Sequence, residues 1–342
     1  MSRLLTRIFK KEEMMKAFGL LIKSDTFRMK NNVVSLVLML LLSVGCMSLF
    51  VSLAVAEEIH SRAAVVMDAV TGKVLFAKNP DLRLMPASTT KLMTALVVLE
   101  RAQVSDAVTI SERTASAPPI KIGLRKGDTV TIETLLHAAL IRSANDAAVA
   151  LAESAGGSEE KFVDLMNRRA VDLGLYNTRF INPNGLPGPG QYITAYDLAE
   201  IMRQAVRNPL LREILGTRVA ELSTGEGRTV LVKNTNHLLW TDEELLVGKT
   251  GYTREAGHCF AGAGERETGT IIVALLGTPS RGLLWEETEK LMALGTRVLN
   301  NFEEPVVYIT KAEYDVAKMK KVSASKKRHR EKNRKNKKRS DF

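Results

Sequence analysis

The 342-residue sequence predicts an α+β fold, in which helices pack on an antiparallel β-sheet. Three observations support this class: two strand-like segments come first, five segments with helical periodicity follow, and strand-like segments then return before a last helix. Hydrophobic residues make up 45% of the chain and charged residues 25%, which is typical of a folded protein. This composition excludes a wholly disordered chain, a collagen-like fibre and a multi-pass membrane protein.

The predicted elements follow the chain in that order. The first is a hairpin around Thr71-Gly72, because apolar residues flank a turn signal. The first helix has Ser88 as its predicted N-cap, and each later helix has a turn or cap signal near its start. The strands are predicted at 63–69, 74–77, 228–233, 245–248, 258–263, 270–276 and 305–310, and the helices at 88–102, 131–141, 145–154, 159–173, 196–206 and 285–299.

The net charge of +11 is concentrated at the two ends of the chain. Residues 318–342 contain 13 basic and 2 acidic residues, a net of +11, and residues 1–32 carry a net of +5. Residues 33–317 carry a net of −5, so the predicted body is mildly acidic. The tail has almost no apolar residues after Val322 and is predicted to be disordered. It is either simply solvated or in contact with an anionic membrane or wall polymer.

Residues 33–56 form an apolar run without a charge and predict export from the cytoplasm. A basic flank and the closing Ala54-Val55-Ala56 are the pattern of a secretory signal cleaved after Ala56. The run of 24 residues also fits an uncleaved anchor, and Cys46 raises the alternative of a lipoprotein. An exported protein is not expected to bind nucleic acid. Cys46 and Cys259 are too few for a disulfide framework.

Three Ser-x-x-Lys spacings occur, and only the one at Ser88 has the setting of a catalytic pair. Ser158 starts a charged helix and is predicted to cap it, and Ser323 lies in the basic tail. Ser88 follows a turn of small residues and opens an apolar helix, so Ser88 and Lys91 would share one buried face. Burial lowers the pKa of a lysine, and the neutral amine can accept the proton of a nucleophilic serine.

Two further motifs, Ser143-Ala144-Asn145 and Lys249-Thr250-Gly251, supply polar groups later in the chain. Taken alone, the first is a turn with a helix cap, and the second is a strand end with a turn glycine. In a functional interpretation, Lys249 gives a strand a cationic edge and Gly251 lets a substrate approach the backbone.

In this order, S-x-x-K, S-x-N and K-T-G resemble the penicillin-binding protein and serine β-lactamase superfamily. The closer resemblance is to the D-alanyl-D-alanine carboxypeptidase family of low-molecular-mass penicillin-binding proteins, over about residues 60–300. The resembling stretches are 86–91, 143–148, 182–186 and 248–253. The resemblance implies a β-lactamase/transpeptidase-like fold and a serine peptidase of the bacterial cell envelope. Its reaction would remove the terminal D-Ala from peptidoglycan pentapeptides during cell-wall biogenesis.

The resemblance also implies a role for each catalytic residue. Ser88 would attack the carbonyl of the terminal D-Ala-D-Ala bond and form an acyl-enzyme. Lys91 would act as general base, and Ser143 would relay the proton toward the leaving D-alanine nitrogen. Water would then hydrolyse the acyl-enzyme without a metal or another cofactor. β-Lactam antibiotics are the implied acylating inhibitors.

The implied substrate-binding residues are Asn145, Lys249, Thr250, Gly251 and Tyr252. Asn145 would hydrogen-bond the substrate, and Lys249 and Thr250 would attract its terminal carboxylate. The backbone N–H groups of Ser88 and Tyr252 would hold the oxyanion, and such donors typically lower a barrier by about 3–4 kcal/mol. Relatives also use an arginine near the carboxylate. Arg281 is the nearest candidate and is left out of the predicted site.

Two other function classes stay open on the sequence. A class A β-lactamase needs a glutamate in a particular loop between the second and third motifs. The corresponding residues of this chain, 180–191, contain none. A non-catalytic penicillin-binding or wall-binding protein is the second alternative, which the joint presence of Ser88, Lys91, Ser143 and Lys249 disfavours. The sequence does not separate a carboxypeptidase from an endopeptidase.

These interpretations divide the chain into four predicted parts. Residues 1–56 are an N-terminal extension with a signal peptide or anchor, and residues 57–302 are the serine D,D-peptidase domain. Residues 303–317 are a short linker or strand, and residues 318–342 are the basic tail.

Overall fold

The computed structural model describes residues 59–224, 227–241, 247–267 and 269–309. The predicted signal or anchor at 33–56, the tail at 318–342 and its Ser323 spacing lie outside the described residues. Within the four described ranges, no helix combines the length and the hydropathy that crossing a membrane requires.

The described residues form ten strands, most of them short. In chain order they are β1 (Ala63–Asp68), β2 (Val74–Lys78), β3 (Ala107–Thr109), β4 (Thr129–Thr131), β5 (Val219–Ser223), β6 (Thr229–Lys233), β7 (Val247–Thr253), β8 (Gly257–Arg266), β9 (Gly269–Thr278) and β10 (Val306–Tyr308).

Six of these strands make one mixed sheet, in the order β10-β2-β1-β9-β8-β7. The prediction of an antiparallel sheet is confirmed for β2, β1, β9, β8 and β7. It is wrong for β10, which pairs in parallel with β2. A strand that returns after a helix can enter the sheet in either direction, and the local sequence does not fix which. Separate antiparallel pairs join β3 to β4 and β5 to β6.

Eight α-helices, two 3-10 turns and one π-helical turn complete the described fold. The helices are α1 (Lys91–Leu99), α2 (Glu112–Ala115), α3 (Ile132–His137), α4 (Asn145–Gly156), α5 (Glu159–Asp172), α6 (Ala195–Arg207), α7 (Pro209–Gly216) and α8 (Arg281–Leu299). Two 3-10 turns cover Ala87–Thr90 and His237–Trp240, and a π-helical turn covers Ala138–Arg142.

Helices cover both faces of the sheet, so its central strands are buried on both sides. Val66 and Ile271 face Gly295 of α8. Val65 and Met67, on the alternate positions of β1, belong instead to the main apolar core, which includes residues of α1, α4 and α6. This α+β arrangement brings the start of α1, the start of α4 and the strand β7 into contact range of one another.

Most predicted elements are confirmed, with shifted ends. Helix caps explain several starts: the Ser158 hydroxyl accepts from the backbone N–H of Lys161, as predicted for α5. The predicted N-cap at Ser88 is wrong. Ala87 has a positive φ of 48°, so the chain enters a 3-10 turn there, and Ser88 lies inside that turn. The Ser88 hydroxyl is then free to meet the side chain of Lys91.

Five of the described strands and α-helices were not predicted: β3, β4, β5, α2 and α7. Three of them have only three or four residues, too few to show a periodicity. Helix α7 did carry a signal, since Asn208 caps it and Pro209 occupies its first turn. The predicted last strand is confirmed as β10.

Candidate active site

The first motif forms a direct serine–lysine contact. The 3-10 turn at Ala87–Thr90 holds Ser88 half-buried, and Lys91 starts α1 with its side chain fully buried. Lys91 Nζ donates to Ser88 Oγ at 3.0 Å. It also donates to Asn145 Oδ1 at 2.8 Å and to the carbonyl oxygen of Asn184 at 2.9 Å. The predicted pair therefore exists, and two further residues fix the lysine beside it.

Burial gives Lys91 the properties of a base. Loss of hydration lowers the pKa of Lys91 well below its ordinary value, and the nearby charge of Lys249 lowers it further. The carboxylate of Asp146 acts in the opposite direction. A neutral amine near neutral pH can accept the Ser88 proton at the distance observed.

The second motif lies where the π-helical turn meets α4. Ser143 has the left-handed φ of 68°, which turns the chain so that Asn145 begins α4. Asn145 Nδ2 donates to the carbonyl oxygen of Pro119 at 2.8 Å, while its Oδ1 accepts from Lys91. Its amide is thus engaged with the protein on both sides. The predicted hydrogen bond from Asn145 to substrate stays a prediction.

The third motif lies on the sheet edge, within β7. Lys249 is fully buried, and its Nζ donates to Ser143 Oγ at 3.0 Å and to the carbonyl oxygen of Thr250 at 2.9 Å. Burial lowers the pKa of Lys249 to about 7. A second amine–hydroxyl pair therefore stands beside the first, and Asn145 and Ser143 are separated by one residue of chain.

Gly251 lets β7 lie directly against the turn that carries Ser88. A Cβ atom at Gly251 would lie 2.9 Å from the backbone nitrogen of Ser88 and 3.1 Å from the carbonyl oxygen of Pro86, which is too close for any other residue. Tyr252 follows on the same strand with 62% of its surface exposed, and its ring lies 4.5 Å from that of His258. The two backbone groups predicted to hold an oxyanion thus come from adjoining elements.

Sequence reasoning gave no site role to three residues that the structure places at the site. Asn184 receives a hydrogen bond from Lys91, and Gly185, with a φ of 82°, presses against Ala87. A Cβ atom at Gly185 would lie 1.8 Å from the carbonyl oxygen of Ala87. The only sequence signal was their inclusion in a resembling stretch. Thr235 Oγ1 accepts from Thr250 Oγ1 at 2.6 Å, and no local pattern marks it.

Asp146 is a buried carboxylate that fixes the loop beside the site. It accepts hydrogen bonds from the backbone N–H groups of Ile122, Gly123 and Leu124 at 3.0–3.2 Å. In the same loop, the carbonyl oxygen of Pro119 accepts a hydrogen bond from the Asn145 side-chain amide. Because Asp146 follows Asn145 in α4, the loop and the second motif are positioned together.

Arg281 is the exposed first residue of α8, and Leu284 is buried. Burial and the charge of Arg281 lower the pKa of His258, so the arginine lies near the end of β7 without a described contact to the three motifs. Cys259 is a buried free thiol. Burial raises the pKa of this thiol to about 12, which makes it unreactive.

The low pKa of Lys249 predicts a pH-dependent stability. Between pH 7 and about 10.4, the ordinary pKa of lysine, the unfolded chain binds more protons at this position than the folded one. The free energy of unfolding of the wild type should therefore rise with pH across this range. Lys249→Met should reduce the slope, leaving the contribution of Lys91. Urea unfolding at several pH values measures it.

An exposed lysine provides the matched control for that experiment. Lys161→Met should keep the wild-type slope, because Lys161 lies on the exposed side of α5. Equal slopes for the wild type and Lys249→Met would show that Lys249 is hydrated in solution and that its burial does not control its charge.

Comparisons with known proteins agree with this geometry. Residues 51–280 match the family model of peptidase S11, D-alanyl-D-alanine carboxypeptidase. The chain is 37% identical over 223 residues to the D-alanyl-D-alanine carboxypeptidase DacF of Bacillus subtilis, covering 64% of this chain and 57% of that protein. It is 38% identical over 211 residues to a D-alanyl-D-alanine endopeptidase of Pseudomonas aeruginosa, covering 59% of this chain and 66% of that one. It thus spans less than two thirds of the length of either relative.

Among solved structures, a mutant of the Streptomyces K15 DD-transpeptidase superimposes with a TM-score of 0.66 at 32% identity, covering 70% of this chain and 98% of that one. The predicted β-lactamase/transpeptidase-like fold is thereby confirmed. Hydrogen bonds from Lys91 to Asn145 and from Lys249 to Ser143 join the three motifs, and the family model covers two thirds of the residues. The chain belongs to the D-alanyl-D-alanine carboxypeptidase family of serine peptidases.

Proposed function

We propose that this protein is a serine-type D-alanyl-D-alanine carboxypeptidase that removes the terminal D-Ala from peptidoglycan pentapeptides. The observation that carries the proposal is the double amine–hydroxyl contact. Lys91 Nζ lies 3.0 Å from Ser88 Oγ, and Lys249 Nζ lies 3.0 Å from Ser143 Oγ. The first pair can activate a nucleophile, and the hydroxyl of the second can relay a proton to a leaving group.

In the proposed reaction, Lys91 takes the proton of Ser88 while Ser88 Oγ bonds to the carbonyl carbon of the penultimate D-Ala. The oxyanion accepts hydrogen bonds from the backbone N–H groups of Ser88 and Tyr252, which lie on adjoining elements. Collapse of this intermediate breaks the C–N bond, and the leaving nitrogen takes a proton from protonated Lys91 through the Ser143 hydroxyl. Water then cleaves the ester and regenerates Ser88.

The substrate's terminal carboxylate is proposed to bind at β7. Lys249 supplies positive charge there when protonated, and Thr250 supplies a hydroxyl. Because the pKa of Lys249 is about 7, carboxylate binding itself would favour its charged form. Gly251 lets β7 lie directly against the turn that carries Ser88, so the proposed carboxylate site on this strand adjoins the proposed nucleophile. β-Lactams, which present a carboxylate and a strained acyl group, are proposed to acylate Ser88 at the same place.

An endopeptidase is the second candidate, because a relative with 38% identity carries that name. Both reactions cleave a D-Ala carbonyl, but the endopeptidase accepts a bulky amine beyond it. A β-lactamase is disfavoured: the segment from Phe180 to Gln191 has no glutamate, and it lies against the catalytic turn through Gly185.

The decisive experiment is incubation of the purified protein with a muropeptide that carries the pentapeptide, followed by mass measurement. A carboxypeptidase produces a product lighter by one alanine residue, together with free D-alanine. Cleavage of a crosslinked dimer without loss from the monomer would instead identify an endopeptidase. If neither product forms and penicillin does not label the protein, the non-catalytic wall-binding alternative remains.

The cellular setting is part of the proposal. We infer that the protein is exported to the cell envelope through residues 33–56, as a cleaved signal or an anchor, and that the peptidase domain occupies residues 57–302. The basic residues of 318–342 are proposed to contact an anionic membrane or wall polymer. Cell fractionation of the full chain and of a chain that lacks 318–342 tests both statements.

A further inference from the structure

The hydroxyl of Thr250 has an unexpected direction in the described structure. It donates to Thr235 Oγ1, with the two oxygen atoms 2.6 Å apart. A hydroxyl has one proton to donate, so in this state Thr250 would offer only lone pairs to a substrate. A carboxylate needs a donor, and the proposed role of Thr250 therefore requires its proton to be redirected when substrate enters.

Thr235 is well placed to allow that change because its backbone is fixed. On one side, Asn234 Nδ2 donates to the carbonyl oxygens of Leu215 and Thr217, at 3.2 and 2.9 Å. On the other, the backbone N–H of Asn236 donates to Asn234 Oδ1 at 2.9 Å. Asn234 and Asn236 are both buried, whereas Thr235 between them is only half-buried. The segment therefore presents one hydroxyl toward β7 from a rigid support.

Thr235 also joins the third motif to the second. Its backbone N–H donates to the carbonyl oxygen of Ile141 at 3.2 Å, in the π-helical turn that ends just before Ser143. Its hydroxyl contacts Thr250 on β7. One residue thus connects the strand proposed to bind the carboxylate with the turn that carries the proposed proton relay.

We propose that Thr235 is a positioning residue for the substrate's terminal carboxylate, which it serves through Thr250. When the carboxylate arrives, the Thr250 hydroxyl turns its proton to it, and the Thr235 hydroxyl turns its own proton to Thr250 Oγ1. After the exchange each hydroxyl donates one hydrogen bond and Thr250 Oγ1 accepts one, so neither proton is left without an acceptor. Successive hydroxyls polarise one another, which strengthens the bond to the carboxylate. This inference rests on the proposed carboxypeptidase function.

The test compares Thr235→Val, which keeps the shape of the side chain but removes the hydroxyl, with Thr235→Ser, which keeps the hydroxyl. With a peptide ending in D-Ala-D-Ala, Thr235→Val should raise KM about tenfold and leave kcat within about twofold. Thr235→Ser should restore the wild-type KM to within about twofold. Thr229→Val, which removes an exposed hydroxyl of β6, is the matched control and should change neither constant.

A double-mutant cycle separates positioning from a direct contact. In the background of Thr250→Val, the further change Thr235→Val should add little to KM, because its effect passes through Thr250. Additive effects of the two substitutions, or an unchanged KM in Thr235→Val alone, would overturn the inference. If the wild type releases no D-alanine, the proposed function fails instead. The two failures are therefore distinguishable.

Discussion

Ser88→Ala is expected to abolish release of D-alanine from a pentapeptide and labelling by a penicillin, while the protein remains folded. The Ser88 Oγ atom is the one that the Lys91 amine contacts at 3.0 Å, so its removal leaves no hydroxyl beside the proposed base. Losing the nucleophile of a serine peptidase lowers kcat by a factor on the order of 10⁶. Mass measurement of the muropeptide and a fluorescent penicillin measure the two activities separately.

The chain contains its own control for this substitution. Ser158 and Lys161 have the same spacing, but Ser158 caps α5 by accepting from the backbone N–H of Lys161. Ser158→Ala should lower the free energy of unfolding by about 1 kcal/mol and leave both activities intact. Labelling of Ser88→Ala at the wild-type rate would mean that another hydroxyl is acylated, and peptide mapping of the labelled protein would then identify it.

The contrast between these two serines shows what the sequence could predict about the site. The spacing alone is the same at Ser88 and Ser158, and the apolar or charged character of the helix that follows distinguishes them. That character decides whether the lysine is buried, and burial lowers its pKa. The first pair was therefore within reach of local reasoning, because both residues lie on one turn of chain.

Contacts across the chain were not within reach of such reasoning. Lys249 and Ser143 are 106 residues apart, and only the resemblance to a known family suggested that they meet. Thr235 and Asn184 lie in polar segments whose local patterns look like ordinary loops, and tertiary packing alone brings them to the site. The same limit applies to β10, whose parallel pairing with β2 depends on where α8 delivers the chain.

The failed N-cap at Ser88 has a related cause. A serine at the start of an apolar helix is a good cap by propensity, but Ala87 adopts a φ of 48° that costs about 1–3 kcal/mol in a residue other than glycine. Contacts with Gly185 and Gly251, both far away in sequence, hold this conformation. The departure from local preference occurs at the residue before Ser88, where it frees the Ser88 hydroxyl from a capping role and directs it to Lys91.

Lys91→Met is expected to lower the rate of acylation about 10³- to 10⁴-fold, because methionine fills a similar volume but cannot take the Ser88 proton. Unlike Ser88→Ala, this variant keeps the nucleophile, so slow labelling should remain and should rise with hydroxide concentration. In the wild type, the rate should instead level off once pH exceeds the lowered pKa of Lys91. Stopped-flow acylation by a chromogenic β-lactam across pH measures both profiles.

Lys161→Met provides the matched control, since Lys161 has the same spacing from a serine but lies exposed on α5. It should acylate at the wild-type rate at every pH. The other amine close to the site, that of Lys249, is bonded to Ser143 and not to Ser88. An acylation rate of Lys91→Met within tenfold of the wild type would therefore assign the general base to Lys249 acting through Ser143. The double substitution with Lys249→Met would then remove the remaining activity, whereas under the assignment made here it adds a loss in carboxylate binding only.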